Sequence, residues 1–147
     1  MDSLPTPVRA WFRKERVLDQ DWGEPQIRKV GEFSQISFRP RWKGLEVHGG
    51  QNLTLIQNPL GRIVRVEGHR RPVLIAQNRP ALSEEELAAR FGPHGRTMVW
   101  VTSIEQPSSR EPIYYVKYAY ETRENGYQRI YDRESGRILH ERNRRQY

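Results

Sequence analysis

Four histidines, His48, His69, His94 and His140, are the side chains best suited to ligate a metal or move a proton. Two ligands on one helix face must stand three to five residues apart, and no pair of these histidines does. His140-Glu141 opens like the H-E-x-x-H zinc motif, but Arg144 stands where the second histidine belongs. A guanidinium stays protonated and cannot ligate, so that centre is excluded. His48 and His69 flank a hairpin and are close enough in sequence to meet in space; the plainer reading is two surface or loop histidines. Cysteine is absent, which removes thiol nucleophiles, thiolate ligands and disulfides. Neither a G-x-S-x-G elbow nor a glycine-rich phosphate loop is present. Among carboxylates, Glu84-Glu85-Glu86 fit the first turn of a helix, where the dipole favours negative charge. Asp132 and Ser135 fit a side-chain-stabilised turn that also holds Glu134. The expectation is a protein that is not an enzyme and needs no cofactor.

A second kind of chemistry is recognition. Aromatic and basic residues interleave in IYYVKYAYETR and YQRIYDR, a pattern suited to stacking on single-stranded nucleic acid. The same pattern suits a tyrosine-rich strand with one face on a helix and the other half-solvated. The net charge is +7, and only four of the 25 basic residues, Lys14, Lys29, Lys43 and Lys117, are lysine. Arginine favours bidentate contacts to carboxylate or phosphate. Apart from Arg70-Arg71 and the tail ERNRRQY, the excess is spread along the chain. It suits an acidic protein surface, nucleic acid or an anionic membrane, or serves solubility alone.

These groups need elements to position them. Val8, Trp11, Phe12, Glu15 and Leu18 recur near 3.6 residues and predict a helix over Val8–Leu18, with Pro7 in its first turn. Gln26–Phe33 and Gln35–Arg41 predict strands around Gly31, with Trp42 continuing the parity of Ile36 and Phe38. Leu45–Val47, Asn52–Gln57 and Ile63–Glu67 predict three more; the last two join through Asn58-Pro59-Leu60-Gly61. Arg70–Pro80, punctuated by Pro72, Asn78 and Pro80, reads as irregular. Ser83 followed by Glu86 is a capping box and opens a short helix ended by Gly92-Pro93. Thr97–Ile104, Ile113–Glu121, Tyr127–Tyr131 and Arg137–His140 read as strands, with Asn125-Gly126 as a hairpin turn. The tail RNRRQY reads as a disordered basic end. Each half of the chain holds a short helix and a few antiparallel strands, so the fold class is α+β.

A chain of 147 residues holds one domain or two small ones, and a compact fold of this size buries ~70% of its unfolded surface. Four Trp, seven Tyr and four Phe compensate for a hydrophobic content of 35%. No apolar run approaches the ~20 residues a membrane helix needs, and the N-terminus lacks an export signal. As numbered the chain reads as cytoplasmic, or extracytoplasmic if it is an excised piece of a precursor.

The run FRPRWKGLEVHGGQNLTLIQNPLGRIVRVEGH resembles the fungalysin/thermolysin propeptide module. Trp42-Lys43-Gly44-Leu45, Val47, Gly49-Gly50, Gly61-Arg62-Ile63-Val64 and Val66-Glu67-Gly68 fill the places of its glycine-punctuated strand and hairpin. Glu46 stands where that module usually has proline, and His48 where it has an aromatic. The stretch from Leu82 to Leu139 resembles a PepSY domain: Leu82-Ser83-Glu84-Glu85-Glu86-Leu87-Ala88 its opening helix, Tyr114–Tyr120 its strand, and Tyr131-Asp132, Ser135-Gly136 and Ile138-Leu139 its ending. The resemblance covers Phe33–Leu139, with the motifs in order.

The resemblance implies two small cystatin-like/PepSY-like halves, residues 1–78 and 79–147, each an antiparallel sheet packed against a short helix. It implies an inhibitor or folding chaperone of a thermolysin-like zinc peptidase, the C-terminal segment lying near the enzyme's cleft. The residues to carry that contact are Leu139, His140, Glu141, Arg142, Arg144, Arg145 and Tyr147. The family's long N-terminal stretch is reduced here to the residues before Phe33, and no peptidase domain follows Tyr147, so the expected action is in trans. Two other readings stand beside it. One is a nucleic-acid-binding protein using arginines and tyrosines; the other is a structural or assembly role without a peptidase.

Overall fold

The computed structural model describes residues 4–17 and 21–143. The fold is α+β: the described residues form two short α-helices and eleven strands in two mainly antiparallel sheets. Among the described residues, no helix is long and apolar enough to cross a membrane.

The first sheet has the order β1-β2-β5-β6, formed by β1 (Gln26–Val30), β2 (Phe33–Phe38), β5 (Leu53–Gln57) and β6 (Ile63–Glu67), all antiparallel. Helix α1 (Thr6–Lys14) covers one of its faces. Val8 and Phe12, four residues apart, meet Ile36, Phe38, Leu53 and Leu55, all of them buried. The helix is shorter at its C-terminus than the apolar spacing predicts. Arg16 takes φ 57°, Arg16 N–H donates to Arg13 C=O, and Val17 N–H to Phe12 C=O. That is a Schellman stop built on a non-glycine residue. Leu18 lies outside the described residues.

One predicted strand is corrected here, and a second, Ile63–Glu67, keeps its predicted bounds but not simple alternation. Strand β2 ends at Phe38, and Trp42 belongs to β3 (Arg41–Trp42), which pairs with β4 (Leu45–His48) in the other sheet. Pro40 breaks the run, as a residue without N–H should. In β6, Ile63 and Val66 both pack on the α1 core, while Val64 is exposed. A β-bulge between Ile56 and Gln57 resets the parity, which simple alternation misses.

The second sheet has seven strands: β11-β10-β9-β8-β4-β3, with β7 also on β9. The central strands are β8 (Arg96–Glu105) and β9 (Ile113–Glu124); β10 (Tyr127–Asp132) and β11 (Ile138–Asn143) continue the meander. Two pairings are parallel, β4 on β8 and β7 (Val73–Ala76) on β9. Strand β7 lies inside Arg70–Pro80, so that segment is not irregular throughout. Pro72 precedes the strand instead of interrupting it, and β9 hides the ladder from any local pattern.

Strands β7 and β10 lie end to end along one edge of β9, and Asn78 fills the gap between them. Its Oδ1 accepts from Tyr118 N–H at 2.6 Å; its Nδ2 donates to Tyr118 C=O at 3.0 Å and to Asp132 Oδ1 at 2.9 Å. A side-chain amide thus completes the ladder as a backbone peptide would.

One face of this sheet carries Val47, Val99, Val101, Tyr114, Val116 and Tyr118. Helix α2 (Glu84–Phe91) lies on the same side through Phe91, stacked on Tyr131 at 3.9 Å, and its Leu87 is fully buried. The capping box is present: Ser83 Oγ accepts from Glu86 N–H at 3.1 Å, and Glu86 Oε1 accepts from Ser83 N–H at 3.2 Å.

The two sheets are joined at Tyr114, whose hydroxyl accepts from Gln51 N–H at 3.3 Å and hydrogen-bonds His69 Nδ1. Here the glycines of the hairpin run have a physical reason. A Cβ on Gly50 would stand 2.6 Å from the Tyr114 ring, and one on Gly68, at φ 91°, would fall on the Asn52 carbonyl oxygen.

Candidate partner-binding face

Directly opposed residues in a sheet share a face, so register alone sorts the side chains away from α2. Strand β4 gives Glu46 and His48 to that open face; β8 gives Arg96, Met98 and Trp100. Strand β9 gives Lys117, Ala119, Glu121 and Arg123; β10 gives Gln128 and Ile130, and β11 gives His140 and Arg142. Met98, Ala119 and Ile130 form a small buried cluster at its centre, with Trp100 and Leu139 packed against it.

Around that cluster runs an ion-paired belt. Glu121, 3% exposed, accepts from Arg96 Nε at 2.9 Å, from Gln128 Nε2, and from Arg123 Nη2 at 3.5 Å. Burial alone would raise its carboxyl, but the bonds from Gln128 and Arg96 and the charges of Arg96 and Arg123 outweigh it and hold the carboxyl below its ordinary range. Arg96 also reaches Glu46 Oε2 at 3.3 Å, which His48 Nε2 meets at 3.0 Å and Arg39 Nη1 at 3.6 Å. Burial of His48, reinforced by Arg39 and Arg96, holds the imidazole below its usual value against the pull of Glu46 and Glu121.

His48 is therefore a strand residue in a network, not a loop histidine, and His69 takes a separate partner in Tyr114. Among the described residues, no three His, Asp or Glu side chains are grouped to hold a metal. The belt's acids already have cationic or amide partners, so its chemistry is that of a fixed charge pattern. The half-buried Trp100 stands opposite His48 on one side and Lys117 on the other.

The structure places part of the predicted contact segment on this face. The bulge beside Ile130 and Tyr131 leaves Leu139 as the extra residue of β11, packed on the Met98–Ala119–Ile130 cluster. His140 stacks on Trp100 with ring centres 5.2 Å apart. Glu141 is exposed and accepts from Arg129 Nε at 3.3 Å; Arg142 is exposed. Strand β11 runs on to Asn143, so the basic tail is ordered further than a terminus suggests. Arg144, Arg145 and Tyr147 lie outside the described residues. Sequence reasoning missed Arg39, Glu46, Arg96, Trp100, Glu121 and Gln128 as one group. Glu46 and His48, two apart on a strand, were the local sign of it; the β8 and β9 members become neighbours only through register.

None of the known protein-family models matches this chain, and no curated protein matches it. Among solved structures it is similar to the Bacillus megaterium YpeB C-terminal domain, at 11% sequence identity and a TM-score of 0.46. That similarity covers 95% of this chain, which spans 63% of the other.

Proposed function

We propose that the chain is a non-catalytic protein-binding module that docks on a thermolysin-like zinc peptidase in trans, as inhibitor or folding chaperone. The observation that carries this reading is β11. It is an edge strand, paired with β10 on one side, and it brings His140 and Arg142 onto the open basic face. An edge strand offers unpaired N–H and C=O groups to a partner, and a charged rim raises on-rate and specificity. The ordered motifs from Phe33 to Leu139 support the choice of partner. Leu139 and His140 fix the strand to the sheet, while Glu141, Arg142 and the residues beyond, Arg144, Arg145 and Tyr147, make the contact. On this reading residues 79–147 form the binding half and residues 1–78 brace it, since β3, β4 and β7 enter the seven-stranded sheet.

The test is an inhibition titration against a thermolysin-like zinc peptidase with a chromogenic peptide substrate. Cutting after Asn143 keeps β11 whole, whereas a cut after Leu139 would remove most of it. Potency should fall with the shorter cut and fall further with Arg142→Glu, while far-ultraviolet circular dichroism stays unchanged. Equal potency in all three chains removes the mechanism.

The nucleic-acid reading draws on Trp100 stacked beside His140, with Arg96 and Arg142 on the same face. It requires binding that weakens linearly in log–log form with salt. An oligonucleotide gel shift that stays negative at low salt disposes of it.

A further inference from the structure

A second interaction surface lies on the four-stranded sheet, away from β11. Strand β1 is the edge of that sheet, and all five of its residues are exposed. An edge strand that merely closes a sheet buries one row of side chains; this one buries neither. Ile27 shares a face with buried Ile36 yet is 57% exposed. Val30 and Phe33, paired across the hairpin on the other face, are 49% and 43% exposed. Three large apolar side chains therefore stand in water around one unpaired backbone edge.

The two charged residues of the strand itself, Arg28 and Lys29, are both basic, with Glu24 before the strand and Glu32 in the turn after it. Arg28 donates to Gln35 Oε1 at 3.2 Å, which leaves its charge unpaired, and Lys29 is exposed. At its Gln26 end the strand opens into a cleft of about 430 Å³. Gly23–Gln26 line one part of it, with Arg39 and Arg41 among the other lining residues. Its acidic members are Glu24 and Glu46, and Glu46 is already engaged by Arg39, His48 and Arg96.

We propose that β1 and this cleft form one groove that takes an extended acidic segment of a partner protein as a fifth strand. Backbone bonding along β1 supplies affinity, apolar residues cover Ile27 and Val30, and carboxylates meet Arg28, Lys29 and the cleft arginines. The same charges argue against a second copy of this chain. An antiparallel copy centred on Arg28 would set the two Arg28 side chains opposite each other, and like charges so placed are destabilising. Lysine and arginine on an edge also serve to repel strands in general. What separates recognition from repulsion is a preference for acidic sequence.

The experiment is a fluorescence-anisotropy titration of the full chain with a fluorescein-labelled octapeptide of two Val-Glu-Glu-Val repeats, which sets valines opposite Ile27 and Val30 and glutamates opposite Arg28 and Lys29. A valine–lysine octapeptide is the control. The glutamate peptide should bind at least about tenfold more tightly, with slowed hydrogen exchange over residues 26–30. The double variant Arg28→Glu, Lys29→Glu should reverse the order of the two peptides, a result that misfolding cannot produce. Arg142→Glu should leave glutamate-peptide binding unchanged, which separates this groove from the β11 contact. Equal binding of the two peptides, no reversal in the variant, or a dimer through β1 in sedimentation each overturns the proposal.

Discussion

Asn78 shows how much one side chain can hold in place. It satisfies both backbone groups of Tyr118 and one oxygen of Asp132. Asn78→Ala would orphan Tyr118 N–H and remove one bond each from the Tyr118 carbonyl, which keeps Arg133 N–H, and from Asp132 Oδ1, which keeps Glu134 and Ser135 N–H; at about 1 kcal/mol per net bond the loss should reach about 2–3 kcal/mol in urea unfolding. A loss below half a kcal/mol would mean that water replaces the amide without cost. The belt gives a second residue-scale expectation. Glu121 and His48 both titrate below their ordinary values in the folded chain. Both contributions are complete above the unfolded imidazole value of about 6.5. As pH falls, the unfolded chain takes protons that the folded chain refuses, first at His48 and then, below about 4.3, at Glu121. Urea midpoints should therefore decline from pH 7 to pH 4, and less steeply in His48→Gln. A flat profile would contradict the belt.

At the scale of elements, helix α1 ends on Arg16 in a left-handed conformation, which an L-residue adopts at a cost of roughly 1 kcal/mol. Arg16→Gly should therefore stabilise the chain by about 0.5 kcal/mol once glycine's extra unfolded-state entropy is subtracted, read as a higher melting temperature. The capping box of α2 was legible because Ser83 and Glu86 are three residues apart and bond only to each other's backbone. The hairpin of β5 and β6 was legible for the same local reason: Asn58 Oδ1 accepts from the N–H groups of Leu60 and Arg62. Strand β7 was not, because its partner β9 lies across a sequence gap and pairs in parallel. The stop at Arg16 was hidden too, since nothing in an arginine announces positive φ. In the candidate site, the C-terminal segment was visible as charge. The belt was not, since Arg96 and Glu121 meet only when β8 and β9 fix their register.

For the molecule as a whole, the two sheets are not separable by a cut in the chain. Strands β3, β4 and β7 leave the first part of the sequence to flank the second sheet, and Tyr114 ties both to the loops at Gln51 and His69. A fragment of residues 79–147 would bare the edge of β8 where β4 pairs and that of β9 where β7 pairs. It should be poorly folded alone and recover when mixed with residues 1–78, as seen by dispersion of amide proton signals. A well-folded fragment would show that the braces are dispensable. Gly68→Ala should damage the same joint, by more than about 2 kcal/mol, because the added carbon meets backbone that cannot move aside.

The second sheet ends in an open edge, β11, which carries Arg142 on the same face as Arg96 and Arg123. Hydrogen exchange of the full chain, alone and with a catalytically inactive thermolysin-like zinc peptidase, reads that edge directly. Amides of residues 138–143 should slow on complex formation, together with those of β8 that carry Arg96 and Trp100. Exchange over 138–143 that is the same with and without the enzyme would contradict the binding role given to β11.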